Sequence, residues 1–276
     1  FAMTGCAKDK ASDSSKDKGA SGSITASGSS ALFPLVQDAA DKFKENNSDV
    51  SITVNAGGSG TGLKQVSDGT VDIGNSDVAA ESKLEANQAA ELVDHKVCVI
   101  TMAPVVNKDI AAVVSNLTKQ QLIDIFTAKV TNWKDVGGPD EAVVLVTRPS
   151  TSGTRALFKE FALDGNEEAS NAALETDDSG TLLQTVSTQK GAIGYVALSY
   201  LTNNDTISAL SIDGVAPTLE NTYNGTYPVW GYEHMYTKGE ATGAVKDFID
   251  YMMSDEYGKS MESQGYNVSS KMTVTR

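Results

Sequence analysis

Three turns of the same composition constrain this chain most. Each follows an apolar, β-rich run and precedes an amphipathic helix: Gly28-Ser29-Ser30-Ala31, Gly58-Ser59-Gly60-Thr61-Gly62 and Ser150-Thr151-Ser152-Gly153-Thr154. Small residues let the backbone turn sharply and come close to a ligand. Hydroxyls and unpaired N–H groups at a helix start form a cradle for an anion, because the dipole there is positive. For any one turn, plain helix capping is the better explanation of the residues. Three such turns, with Arg148 and Arg155 flanking one of them, point to convergence on an anion.

Repeated strand–turn–helix units build a mainly parallel sheet with helices on its faces, an α/β architecture. Strands are expected over Ser23–Ala26, Val50–Val54, Val71–Gly74, Lys96–Thr101, Ala111–Val114, Ala142–Val146, Ala192–Val196 and Ile207–Ile212. Helical spacing appears at Phe33, Val36, Ala40 and Phe43, with Pro34 in the first turn, where proline is tolerated. Further helices carry Leu63 and Val66, then Leu122, Ile125 and Phe126 behind a Thr118/Gln121 capping pair, then Leu157, Phe158 and Phe161, and last Val245, Phe248, Ile249 and Met252. A chain of 276 residues accommodates two such sheets, one per lobe. Ligands then sit at the carboxyl ends of strands or in the cleft between lobes.

The net charge of −14 argues against nucleic-acid binding, which needs a basic footprint. It also means that an anion must be held by local donors. Two cysteines and two histidines are too few for a zinc cage, and His95 and His234 have no nucleophile nearby in sequence. Residues 57–64 lack the Gly-Lys-Ser/Thr ending of a P-loop. No cofactor and no metal is expected. Trp133 and Trp230 read as packing residues. No apolar run approaches the length of a membrane-spanning helix.

Residues 7–22 hold no large apolar side chain and read as a flexible tether. Phe1-Ala2-Met3-Thr4-Gly5-Cys6 just before it resembles the cut end of a bacterial lipoprotein signal, in which the cysteine carries the lipid. That resemblance implies lipidation at Cys6 and a membrane contact through the N-terminal lipid only.

Ala26-Ser27-Gly28-Ser29-Ser30-Ala31-Leu32-Phe33-Pro34 is similar to the opening of the phosphate-binding (PstS) subunit of the bacterial high-affinity phosphate ABC transporter. Gly58 through Gln65, Val71 through Asp77, Leu117 through Phe126, Val130 through Trp133, Arg148 through Thr154 and Gly191 through Val196 resemble its later segments, in the same order, over about Ser23 to Gly265. The short lipoprotein form resembles that of Gram-positive bacteria.

The resemblance implies a two-lobed, type II Venus-flytrap solute-binding protein, not an enzyme, on the extracellular face of the membrane. Its partners would be inorganic phosphate and an ABC permease and ATPase. It implies lobe 1 over 23–103 plus 228–276 and lobe 2 over 104–227, with crossings near Met102–Val105 and Asn224–Val229. It implies a phosphate site made of Ser30, Ala31 N–H, Ser59 and Asp77 from lobe 1 and Arg148, Ser152, Gly153 N–H and Thr154 from lobe 2. The first turn is longer than the commonest Gram-negative pattern, so Ser29 stands beside Ser30 as the hydroxyl ligand. Ser150 replaces an acidic residue that steadies the arginine, which leaves open what holds Arg148. Arg155 is either an anion contact or a surface ion pair.

Each role has a chemical reason. Arginine pairs two oxygens of a tetrahedral anion with a planar fork. Asp77 only accepts, and hydrogen phosphate has a proton to give where sulfate has none. The competing reading of Asp77 is a cap on a helix over Val78–Leu84. Competing functions are a receptor for another oxyanion (sulfate or molybdate), a phosphate-handling secreted enzyme, and a surface adhesin or sensor.

Overall fold

The structure, a computed structural model, describes residues 21–276. Cys6 and nearly all of the expected tether lie outside the described residues.

Strand β1 (Gly22–Gly28) pairs in parallel with β2 (Val50–Ala56), and helix α1 (Phe33–Asn46) crosses between them. Period-two burial of Val50, Ile52 and Val54 in β2 and period-3.6 burial of Leu35, Val36, Ala39, Ala40 and Phe43 in α1 put both on one core. Helix α2 (Ser59–Ser67) begins inside the glycine-rich turn, and β3 (Ile73–Ser76) lies parallel to β1 on its other side.

The helix expected over Val78–Leu84 does not form. Only one 3₁₀ turn, Ala80–Ser82, precedes the short helix α3 (Ala86–Ala89). Ser82 N–H returns to Ala79 O and Lys83 N–H to Ala80 O, three residues back, so the segment closes as a single tight turn.

Strand β4 (Leu92–Asn107) is longer than the expected Lys96–Thr101 and is buried from Val97 to its end. The expected strand over Ala111–Val114 is instead the end of helix α4 (Lys108–Ala111) and the turn after it. Asn107 caps α4 by accepting Ile110 N–H at 3.0 Å, and Val114 N–H returns to Ile110 O at 2.8 Å. A short strand β5 (Asn116–Leu117) leads to α5 (Lys119–Phe126), opened by the expected capping box at Thr118 and Gln121.

There follow β6 (Val144–Thr147), α6 (Gly153–Phe161), β7 (Leu174–Glu175), α7 (Ser179–Thr188) and β8 (Ala192–Ala197). The run Ile207–Ile212 is not one strand. It breaks at Leu210 into β9 (Ile207–Ala209), paired with β4, and β10 (Ser211–Ile212), paired with β5. The chain ends with α8 (Leu219–Tyr223), β11 (Trp230–Lys238), α9 (Gly243–Met252) and α10 (Asp255–Met261).

The strand order is β2-β1-β3-β11-β4-β8-β6-β7. β4 serves both lobes: its first half pairs antiparallel with β11 as far as Thr101, and its second half pairs antiparallel with β8 from Met102 on. Met102 N–H also bonds Val229 O at 3.0 Å, so the two strands that run between lobes touch where they cross. Parallel strands β2-β1-β3 in one lobe and β8-β6-β7 in the other aim their carboxyl ends at the seam. Trp133 and Trp230 are fully buried, as expected of packing residues.

Candidate functional site

The lobe-1 wall is made by the ends of three parallel strands. Gly28 closes β1 at φ +135°, where a Cβ would stand 2.1 Å from Asn75 O, so only glycine lets β1 and β3 meet this closely. Ser29 and Ser30 follow. Ser29 Oγ accepts Leu32 N–H at 3.0 Å and donates to Asp77 Oδ1 in a short bond. Ser59, first residue of α2, accepts the Asp77 N–H on its hydroxyl at 2.9 Å. Ser29, Ser59 and Asp77 are all buried, as is Ala31.

The lobe-2 wall is built around Arg148, at the carboxyl end of β6. Of the described lysines and arginines it alone is buried. Its Nη1 donates to Asp177 O at 3.0 Å and Asp177 Oδ1 at 3.2 Å, and stands 3.4 Å from Ser30 Oγ. Its Nη2 donates to Ser179 Oγ at 2.9 Å and Tyr195 O at 3.0 Å, and Nε has no partner among the described residues. Pro149 O accepts the Ser152 N–H, and Ser152 caps α6 by accepting Arg155 N–H at 3.2 Å. Gly153 and Thr154 then open α6 against lobe 1.

The two walls touch. Thr154 Oγ1 donates to Asp77 Oδ2 at 3.0 Å, so the Asp77 carboxylate takes one hydroxyl from each lobe. Gly60 N–H donates to Thr151 O at 3.0 Å, Lys83 Nζ to Ser150 O at 2.8 Å and the Tyr200 hydroxyl to Ser30 O at 2.6 Å. Gly153 approaches so closely that a Cβ there would lie 2.1 Å from Ser59 Oγ. The three turns singled out by composition therefore do converge. Asp77 caps no α-helix, since the 3₁₀ turn behind it starts from Ala79 without a side-chain cap.

The site also uses residues that the sequence reading passed over. Asp177 supplies the acid that Ser150 lacks. Burial pushes its carboxyl up from the ordinary value, and the Arg148 guanidinium pulls it back. Asp177-Asp178-Ser179-Gly180-Thr181 is in fact a fourth turn of the same kind, with Asp178 capping α7, and that composition was the available signal. Tyr195 contributes through its backbone carbonyl, which no sequence pattern marks. Its ring stacks on Phe158 at 4.1 Å, and its hydroxyl donates to Glu168 at 2.5 Å. Burial pushes Glu168 up to about 7, against the pull of Tyr195, Arg155 and Arg148. Arg155 donates to Arg148 O at 2.6 Å and pairs with Glu167 at 3.3 Å and Glu168 at 3.8 Å. It buttresses Arg148 from behind. His95 bonds Met235 O and His234 bonds Asp94, both structural contacts.

Two sheets that share one long strand, with strand ends and helix starts facing each other across a seam, define a two-lobed solute-binding protein of the type II, Venus-flytrap kind. The family model described as the PBP superfamily domain matches residues 13–256. Phosphate-binding protein PstS of Bacillus subtilis (strain 168) is 53% identical over 274 residues, which cover 99% of this chain and 89% of that protein. A crystal structure of a putative phosphate ABC transporter substrate-binding protein from Clostridium perfringens, with bound phosphate, superposes with a TM-score of 0.80 at 32% identity, covering 89% of this chain and 99% of that one. An ABC-type phosphate transport receptor from Vibrio cholerae superposes with a TM-score of 0.70 at 26% identity, covering 88% of this chain and 99% of that one. The chain belongs to the PstS family of phosphate-binding proteins. It is a family of binding proteins, not of enzymes.

Proposed function

We propose that this chain captures inorganic phosphate between its lobes and delivers it to an ABC permease and ATPase. One observation carries the reading: a buried arginine fork and an acceptor-only carboxylate meet in one closed seam, together with hydroxyls and helix-start amides from both lobes. Arg148 offers a buried charge and an Nε–H without a partner among the described residues; phosphate oxygens would exchange for the bonds that Nη1 and Nη2 now make. Ser29 or Ser30, Ser59, Ser152 and Thr154, with the N–H groups of Ala31 and Gly153, fill the remaining lone pairs. Ser29 already bonds Asp77, and Ser30 is the hydroxyl that faces Arg148. Asp77 accepts the proton that phosphate carries and repels sulfate.

The lobes divide just past the Thr101–Met102 change of partner in β4 and near Val229, into 23–103 with 228–276 and 104–227. Lobe 1 holds the bound anion's acceptor and lobe 2 its cation, so binding both draws the lobes together. Lipidation at Cys6 tethers the protein to the extracellular face of a Gram-positive membrane.

Calorimetry with phosphate, arsenate, sulfate and molybdate on wild type and Asp77→Asn tests the reading. Wild type should bind phosphate and arsenate and reject sulfate. Asp77→Asn should keep phosphate and gain sulfate, because the amide still accepts, can also donate, and repels no anion. Wild-type binding of sulfate in preference to phosphate overturns the reading.

A further inference from the structure

Next to Asp77 the sheet buries a second acid that has no cation beside it. Glu233 of β11 lies one step past the His234–Ser76 pair of the β11–β3 ladder, which sets it opposite Asp77. Cross-strand neighbours share a face of the sheet. On its other side Glu233 pairs with Cys98 of β4. Glu233 is 0% exposed; its carboxyl lies within hydrogen-bond reach of the Asp77 carboxylate and finds no other partner among the described residues. Both amide atoms of Asn75, two residues before Asp77 on the same face of β3, are also buried, without a partner among the described residues.

The groups facing Glu233 are Asp77 just past β3, Cys98 from β4 and Tyr266 from the segment after α10, and none of them is a cation. A carboxylate buried without a cation or a donor is too costly to remain ionised. Burial first and the neighbouring Asp77 second raise the Glu233 carboxyl well above the ordinary range. A neutral carboxyl has one O–H to give, and a carboxylate has about four acceptor positions. Ser29 and Thr154 take two of those on Asp77.

We propose that Glu233 is a specificity-determining positioning residue of the anion site, a neutral acid that directs its O–H at Asp77 and so holds the Asp77 carboxylate toward a proton-bearing oxygen of phosphate. Glu233 touches no anion itself; it acts through Asp77. This inference rests on the phosphate reading above. Without the Glu233 O–H, one acceptor position of Asp77 is left unfilled and its carboxylate is free to turn away from the phosphate O–H, so discrimination falls.

Two variants separate this from packing. Glu233→Gln keeps a donor in the same place, and Glu233→Leu keeps the volume without one. Phosphate and sulfate affinities are measured by calorimetry from mildly acidic to mildly alkaline pH. Glu233→Gln should match wild type in affinity and pH profile. Glu233→Leu should lose about tenfold in phosphate affinity and move the sulfate-to-phosphate affinity ratio toward sulfate. A Glu233→Leu profile that coincides with wild type overturns the proposal. So does a Glu233→Gln variant that binds both anions more tightly, since that marks an ionised Glu233. If the leucine variant does not fold, Glu233→Met replaces it.

Infrared spectra of ligand-free protein at neutral pH give a second reading that needs no phosphate. The carboxylic-acid C=O band, to which Glu168 also contributes at neutral pH, should lose intensity in Glu233→Gln; a band of unchanged intensity overturns the proposal. Failure of wild type to bind phosphate counts against the functional reading instead, and the infrared band still decides whether Glu233 is a neutral acid.

Discussion

The lobe-1 wall of the site presents hydroxyls and a carboxylate, whereas the lobe-2 wall presents a guanidinium held by four hydrogen bonds. Lobe 1 gains its groups cheaply. Three parallel strands end side by side, and the residues after them must arrive at one place. Lobe 2 must bury a permanent charge, and it does so with a shell of acids and carbonyls: Asp177, the carbonyl of Tyr195, and Glu168 behind Arg155. Desolvating a cation is costly unless its donors are paired in advance. On the proposed phosphate reading, lobe 2 supplies the attraction and lobe 1 the discrimination.

Replacing the fork should have the largest effect. Arg148→Lys keeps the charge but loses the bonds that the two guanidinium nitrogens make to Asp177, Ser179 and Tyr195 O. Two or more charge-assisted bonds lost should cost about 3–5 kcal/mol, shared between stability and phosphate affinity. Calorimetry and thermal unfolding together measure that sum. Wild-type behaviour in both would move the attraction to Lys83, which reaches the same seam.

The supporting acid gives a pH signature that lobe 1's wall has no reason to share. Glu168 is raised from 4.5 to about 7, first by burial. Between those values the folded chain holds a proton that the unfolded chain has released, so stability falls as pH rises through that window. Glu168→Gln stays neutral and can still accept the Tyr195 hydroxyl. It should therefore match wild type at pH 4 and exceed it at pH 8 by about 3 kcal/mol. Urea unfolding at the two pH values measures the difference, and parallel pH dependence of the two proteins would mean that Glu168 is ionised throughout.

The smallest effect tests the contact between walls. Gly153→Ala places a Cβ at 2.1 Å from Ser59 Oγ and 2.8 Å from Asp77 Cβ. Overpacking of this kind costs about 1–3 kcal/mol. Here it falls on the closed state alone, because Ser59 and Asp77 are on the opposite lobe. Phosphate affinity should drop by about tenfold or more while unfolding of the ligand-free protein changes little. Small-angle scattering should show less compaction with phosphate than in wild type. Full affinity with full compaction would mean that the lobes close without this contact.

Local chemistry made much of this protein legible from sequence. Glycine and hydroxyl residues at helix starts, the capping pair Thr118 and Gln121, and the apolar periods of α1 and β2 are short-range signals, and each element formed where its signal lies. The departures occur where a long-range partner overrides local preference. The apolar run Ala111–Val114 turns because Asn107 caps a helix ahead of it. Leu210 breaks a strand because its N–H goes to Pro104 O while Ser211 turns to Ser115. The convergence of the turns and the arginine beside one of them are readable as composition, whereas Asp77 enters through the family resemblance. The support of Arg148 and Asp77 is readable in neither way. Asp177 lies 29 residues from Arg148, Tyr195 serves through a backbone oxygen, and Glu233 reaches Asp77 only through the register of an antiparallel strand. Residue type and spacing determine what a segment can offer a ligand. Which acid faces which base, and whether an acid keeps its proton, depends on burial and strand register, and only the tertiary structure decides those.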